Sequence, residues 1–169
     1  MSSKTKINQN KKFIEIIGSN YAEPYEITRR ACRGAVIKDG KILLSCETKT
    51  DVWMLPGGGL EEGETEKECV VRELIEETGH IVEPTKKVVE IVEYYGKERF
   101  ISEYYCCDLK GITDTNPTEG EIEEGLEPRW ISIEEALSIF SEYAKYEGVG
   151  TKDGLYLREY CALKNILNQ

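Results

Sequence analysis

Residues 58–80 read GGLEEGETEKECVVRELIEETGH, and within them Gly58, Glu64, Arg72, Glu73, Leu74, Glu76, Glu77 and Gly79 fall at the spacing G-x5-E-x7-R-E-U-x-E-E-x-G, where U is aliphatic. Thr65-Glu66-Lys67-Glu68 has the pattern in which a hydroxyl and a carboxylate three residues apart satisfy each other's backbone N–H groups, and Gly79 can take a left-handed stop. Together they predict a helix over about 65–78. At a step of about 100° with Glu73 at zero, Glu77 lies near +40°, Glu66 near +20° and Glu76 near −60°, which makes one carboxylate stripe. Val71, Leu74, Ile75 and Thr78 fall between roughly 100° and 200°, an apolar stripe expected to anchor the other side of the helix to a sheet.

A Glu-rich helix on an acidic protein is ordinarily a solvated face. Eight positions at this spacing, however, coincide by chance at roughly 10⁻⁶ per window, so the pattern asks for a chemical reason. Carboxylates crowded on one face repel each other and raise their own pKa values unless cations neutralise them. Hard oxygen ligands of this kind select Mg²⁺ or Mn²⁺. Such ions can bridge phosphate oxygens, offset the charge of a leaving phosphate and lower the pKa of a bound water. The chain has one histidine, His80 at the end of the helix, so a carboxylate is the expected proton acceptor.

The passage resembles the signature box of the Nudix hydrolases, in the MutT-like branch, which use Mg²⁺ to cleave a diphosphate bond in a nucleoside diphosphate derivative. The resemblance implies that Glu73, Glu76 and Glu77 are metal ligands and that Arg72 holds Glu64 in a bidentate pair. It implies that Gly57 and Gly58 let a tight loop approach the metal and the phosphates. A further glutamate from a distant loop serves several members as ligand or base. Glu124 is the choice here, because Glu124-Gly125 lies six residues before Trp130; Glu121, Glu123 and Glu127 are rivals. His80 departs from the pattern, which normally closes on an aliphatic residue, and reads as a packing change.

Around the box, ACRGAVI and KILLSC flank Lys38-Asp39-Gly40, a hairpin signal, and Trp53-Met54-Leu55-Pro56 leads into three glycines as a strand ending in a tight turn. Residues 86–95 and 99–109, rich in Val, Ile and Tyr, flank Gly96-Lys97 as a second hairpin. Residues 109–125 read as an acidic loop and 128–133 as a short strand. Ser132 opens a helix to about 145, and a last helix runs over about 155–167. The fold class expected is α/β (α+β), an α/β/α sandwich with a mixed β-sheet, as the resemblance also implies. Residues 11–169 should form a single domain behind a mobile 1–10.

The 169 residues carry a net charge of −10, and residues 58–80 and 119–135 hold 15 acidic and 3 basic side chains, so the rest of the chain sums to +2. That field argues against a nucleic-acid duplex or an anionic membrane as partner, and no stretch is long and apolar enough to span a bilayer. The six cysteines lack C-x-x-C spacing and suit a reducing, cytoplasmic compartment. The partner expected is a small-molecule nucleotide; family members are often homodimers.

Substrate pointers outside the box are sparse. No proline stands about sixteen residues past it, which removes the usual indication of ADP-ribose in the family, and the coenzyme A and NADH markers are absent. Arg33, in a predicted strand, could reach a distal phosphate, with Arg29, Arg30 and Arg99 as weaker candidates. Tyr95, with Tyr94, could stack on a base, although alternating tyrosines more often pack a sheet. The expected substrate is an ordinary or oxidised (d)NTP. Dinucleoside polyphosphates, nucleotide sugars or ADP-ribose, and a nucleotide-binding module without turnover, are the alternatives.

Overall fold

A computed structural model describes residues 5–10, 12–148 and 152–169. Asp39 and Gly40 both take positive φ, 51° and 72°, as a two-residue hairpin loop requires. They join β3 (Ile27–Lys38) to β4 (Lys41–Glu47), with Lys38 opposite Lys41. The Gly96-Lys97 turn joins β7 (His80–Tyr95) to β8 (Glu98–Ile112). Both strands outrun the expected ranges. β7 begins directly after the Gly79 stop, because Pro84, which has no N–H to give, sits at a register shift before Lys86.

The remaining strands are β1 (Lys6–Gln9), β2 (Phe13–Ile17), β5 (Val52–Met54), β6 (Gly57–Gly59) and β9 (Leu126–Ser132). They assemble in the order β1-β2-β7-β8-β3-β4-β5, with β6 paired to β3 and β9 to β4. The β2–β7 and β3–β8 pairs are parallel and the others antiparallel, so the sheet is mixed. The helices are α1 (Glu66–Thr78), α2 (Glu119–Glu124), α3 (Ile133–Ser141), followed by a 3-10 turn over Glu142–Tyr146, and α4 (Leu155–Leu167).

Alternation along the strands divides the apolar side chains between two cores. On one face Ile14, Ile16, Leu44, Leu55, Ile91 and Tyr104 pack with Phe140 of α3 and with Tyr156 and Leu163 of α4. On the other Cys32, Val36, Leu43, Val82 and Tyr105 pack with Cys69, Val70 and Leu74 of α1. Cys107 joins the second core and its neighbour Cys106 packs against the first, and all six cysteines are free thiols. The result is an α/β/α sandwich, the expected class.

Two expectations need correction. The mobile 1–10 segment contains a strand over Lys6–Gln9 that pairs antiparallel with β2; residues 1–4 lie outside the described residues. The segment FIEII forms β2 and pairs parallel with β7, its alternating Ile14 and Ile16 wholly buried. Of the loop expected over 109–125, residues 113–118 are irregular, whereas 109–112 end β8 and 119–124 form α2, which opens on a capping box between Thr118 and Glu121. Among the described residues no helix is long and apolar enough to cross a membrane.

Candidate active site

α1 is set by its caps: Thr65 accepts from Glu68 N–H, the Glu68 carboxylate returns the bond to Thr65 N–H, and Gly79 ends the helix at φ 67°. Its buried residues are Cys69, Val70, Glu73, Leu74, Glu77 and Thr78, while Val71 and Ile75 are only half-buried. The carboxylate stripe and the apolar stripe, expected on opposite sides, therefore share one side. Cys69, Val70 and Leu74 enter the core beside Glu73 and Glu77, which point at β4 and the glycine strand β6. Glu66 leaves the stripe: Arg30, Lys87 and the Tyr105 hydroxyl bind it to the sheet.

Glu77 is 6% exposed. Its Oε2 accepts Ser45 Oγ at 2.7 Å and Gly57 N–H at 3.2 Å. Burial pushes its pKa up to about 7, against the bonds from Ser45 and Gly57 and the charge of Arg33, which pull it down. Burial likewise raises that of Glu73, with Arg72 opposing and the charges of Glu76 and Glu121 adding to it. One carboxylate oxygen from each of Glu73, Glu77 and Glu121 lies within 4.8 Å of the others. They line a cleft of about 570 Å³ that also holds Gly57, Gly58, Glu76 and Asn116.

Arg72 organises the approach to this cluster. It grips Glu64 with two bonds, Nε to Oε1 at 2.8 Å and Nη2 to Oε2 at 3.0 Å, and reaches Glu73 at 2.8 Å, Glu76 at 3.2 Å and the Gly59 carbonyl at 2.9 Å. That pairing holds the Glu64 carboxyl down at about 2. The guanidinium thus ties the loop before α1 to the helix and to β6 at once.

The glycines are required by contact. At Gly57, φ is 145° and a Cβ would sit 2.2 Å from the Cys32 carbonyl oxygen; at Gly58 it would sit 2.5 Å from Glu73 Oε1. Gly57→Ala should lower stability by about 3 kcal/mol or more, because both the φ and the backbone contact are violated. Gly58→Ala meets only a movable carboxylate. It should weaken Mn²⁺ binding more than it lowers Tm, an order that thermal unfolding and Mn²⁺ titration of the two variants would check.

Several expected residues lie elsewhere. Glu124 is exposed at the end of α2, and its backbone carbonyl accepts Lys49 N–H; Glu121, at the first turn of that helix, is the carboxylate brought to Glu73 and Glu77. The physical reason is the Thr118 cap, where Thr118 N–H and Oγ1 bind Glu121 Oε2 at 2.6 and 2.8 Å and fix that side chain over the cleft. The T-x-x-E signal at 118–121 was present in the sequence. Glu123 and Glu127 are exposed as well. Glu76 lines the cleft but stays outside the close cluster. Ser45 carried no sequence signal; its role comes from β4 lying beside α1.

Tyr95 is also displaced from its expected place. It packs beside Gly18 and against Gly154 at the start of α4, and it lines a small cavity of about 80 Å³ rather than the cleft. Tyr94 packs against Tyr21 and Tyr25, with Arg99 4.5 Å over the Tyr25 ring. His80 is buried: Nδ1 faces the Thr78 carbonyl at 2.8 Å, and Trp130 Nε1–H donates to Nε2 at 3.2 Å. The packing reading of His80 agrees with that placement.

On the other side of β6 lies a second hollow of about 510 Å³, lined by Arg29, Arg30, Arg33, Phe100 and Arg158 and sharing Gly58 and Gly59 with the cleft. Arg33 is buried; Nη1 donates to the carbonyls of Leu55 and Gly57 at 3.0 and 3.3 Å, and Nε has no partner among the described residues. Arg30 is paired with Glu103 and Glu66, and Arg29 with Glu98. An acidic cavity and a basic one thus meet at a wall made of glycine backbone.

A model of the NUDIX domain matches residues 28–149. A Bacillus subtilis protein provisionally named ADP-ribose pyrophosphatase YjhB is 34% identical over 88 residues, which cover 51% of this chain and 42% of that one. Phosphatase NudJ of Escherichia coli is 32% identical over 103 residues, covering 59% of this chain and 65% of that one. The chain thus spans less than two-thirds of the length of these curated relatives. A solved NUDIX hydrolase from Nitrosomonas europaea superposes with a TM-score of 0.59 at 20% identity, over 82% of this chain and 91% of the other, and shows the same fold.

Proposed function

The chain belongs to the NUDIX family, and from its paired cavities we propose that it is a Mg²⁺- or Mn²⁺-dependent hydrolase that breaks a diphosphate bond in an ordinary or oxidised (d)NTP. The observation that carries this reading is the cluster of Glu73, Glu77 and Glu121, with carboxylate oxygens within 4.8 Å of one another. Two of the three are buried and have pKa values raised by that burial. A hard divalent cation supplies the positive charge that such a donor set lacks. When bound it would neutralise the phosphate charge that repels a nucleophile, offset the charge of the leaving phosphate and acidify a water.

The side chains divide the remaining work. Glu73, Glu77 and Glu121 hold the ion, and Arg72 fixes Glu73 while pinning Glu64. A cleft carboxylate takes the proton of the attacking water, since His80 is engaged by Thr78 and Trp130. Gly57 and Gly58 keep the cleft wall free of side chains. Arg33, buried in the wall of the basic hollow, lends positive charge toward the phosphates that the acidic cleft does not offer. That hollow supports a substrate with more than two phosphates over a nucleotide sugar, and it supports dinucleoside polyphosphates as the second reading.

Phosphate and pyrophosphate release should be measured on a panel of (d)NTPs, oxidised dGTP, diadenosine polyphosphates, ADP-ribose and sugar nucleotides, with Mg²⁺ or Mn²⁺. Fastest turnover is expected on a triphosphate. Preference for ADP-ribose or a sugar nucleotide would overturn the substrate assignment, and no turnover on any of them would favour a binding module. With the best substrate, Glu121→Gln should lower kcat about tenfold or more, as expected for loss of a metal ligand, whereas Glu124→Gln should leave it within about twofold. The reverse order would restore Glu124 to the site.

A further inference from the structure

Helix α4 lies beyond the matched region 28–149 and carries, at consecutive positions, Arg158 in the wall of the basic hollow and Glu159 behind it. Glu159 is 0% exposed. Its Oε1 accepts the Tyr104 hydroxyl at 2.8 Å and Arg158 Nε and Nη2 at 3.0 and 2.9 Å; Arg158 Nη1 reaches Glu93 at 3.4 Å. A buried ion cluster of this kind is a poor source of stability, since taking each ion out of water costs several kcal/mol and apolar packing often does as well. The other oxygen of Glu159 indicates what the cluster is for.

Glu159 Oε2 accepts Leu55 N–H at 2.9 Å. The carbonyl of the same residue takes Arg33 Nη1 at 3.0 Å, the Pro56 carbonyl takes Gly34 N–H at 3.0 Å, and the Gly57 carbonyl takes Arg33 Nη1 at 3.3 Å. The turn from Leu55 to Gly57 is therefore held from α4 on one side and from β3 on the other. Its remaining polar group, Gly57 N–H, points at Glu77 Oε2, 3.2 Å away. A shift of this turn would carry that N–H away from Glu77, whose only other donor at the same oxygen among the described residues is Ser45 Oγ.

We propose that Glu159 is a positioning residue for the metal site, holding the Leu55–Gly57 turn so that Gly57 N–H fixes the orientation of the Glu77 carboxylate. This rests on the reading of Glu73, Glu77 and Glu121 as cation ligands. Groups that orient a ligand from behind typically change metal affinity or activity by about 10–100-fold when removed.

The test compares two variants of the full chain. Glu159→Met removes the acceptor for Leu55 N–H, whereas Glu159→Gln keeps an amide oxygen for it, and the Tyr104 hydroxyl can turn to accept from the new NH₂. Both leave Arg158 with Glu93 alone, so both should lower Tm. Only the Met variant should bind Mn²⁺ about tenfold more weakly and lose a similar factor in kcat, with nucleotide KM within about twofold. The Gln variant should bind Mn²⁺ within about twofold of the wild type.

Equal Mn²⁺ affinity in the wild type and the Met variant would overturn the proposal, as would equal losses in Met and Gln, because a purely structural role predicts one or the other. Should the Met variant fail to fold, Glu159→Asp takes its place. It keeps the charge but withdraws the oxygen from Leu55 by one methylene, and weaker Mn²⁺ binding is again the supporting result and unchanged binding the contrary one. A wild-type chain that binds no Mn²⁺ overturns the metal-site reading itself, and this proposal with it.

Discussion

Glu77→Gln is expected to abolish most Mg²⁺-dependent turnover, about a hundredfold or more, while making the metal-free chain more stable at pH 8. The two effects have one cause. Burial holds the Glu77 carboxyl at about 7 against an ordinary value of 4.5, so between those values the folded chain keeps a proton that the unfolded chain has released. Stability contributed by the neutral group is fully present below about pH 4.5 and is lost as pH rises through about 7. Above that, the uncompensated charge costs up to about 3 kcal/mol, an order-of-magnitude figure.

Glutamine keeps the volume and removes the charge. Chemical denaturation without metal should therefore show the variant gaining on the wild type as pH rises from about 5 to about 8. Mn²⁺ should raise the Tm of the wild type and leave the variant nearly unmoved, since an ion stabilises only the state that binds it. Unchanged turnover in the variant would remove Glu77 from the metal site.

Arg72→Ala should have the second largest effect, losing about a hundredfold in kcat and about 3 kcal/mol in stability at pH 7, because it strips partners from Glu64, Glu73 and Glu76 together. The Glu64 carboxyl, held at about 2 by Arg72, works in the opposite sense to Glu77. Its contribution is fully present above the ordinary value of about 4.5 and disappears as pH falls through about 2. The stability gap between wild type and variant should therefore narrow over that acid window, as equilibrium unfolding at a series of pH values would show. Arg72→Lys should recover little, since one ammonium cannot make the two parallel bonds to Glu64 while also reaching Glu73 and the Gly59 carbonyl. A lysine variant with near-normal kcat would mean that charge alone matters at this position.

Local chemistry was well written in the chain. The Thr65–Glu68 capping box and Gly79 fix α1 over Glu66–Thr78, Asp39-Gly40 and Gly96-Lys97 fix the two hairpins, and the apolar pattern gives α4 as Leu155–Leu167. The choice among acidic residues 119–127 depended on a cap geometry that places Glu121, at the third helical position, over the cleft and turns Glu124 to solvent. β2 is illegible as a strand because its partner, β7, lies 77 residues further along the chain, Phe13 standing opposite Glu90. The orientation of α1 is not legible from periodicity because Glu73 and Glu77 are buried beside Cys69, Val70 and Leu74, on the side where periodicity alone would put aliphatic residues. Glu159 could not be found from sequence, since nothing near position 159 indicates that the residue will reach Leu55.

The most direct measurement is an anomalous-difference map from crystals of the chain soaked in Mn²⁺, beside the same map for Glu77→Gln. A peak within coordination distance of carboxylate oxygens from Glu73, Glu77 and Glu121, strong in the wild type and lost in the variant, is the predicted result. No ordered ion among those residues, or a peak ligated by Glu124 in place of Glu121, would contradict the site as described.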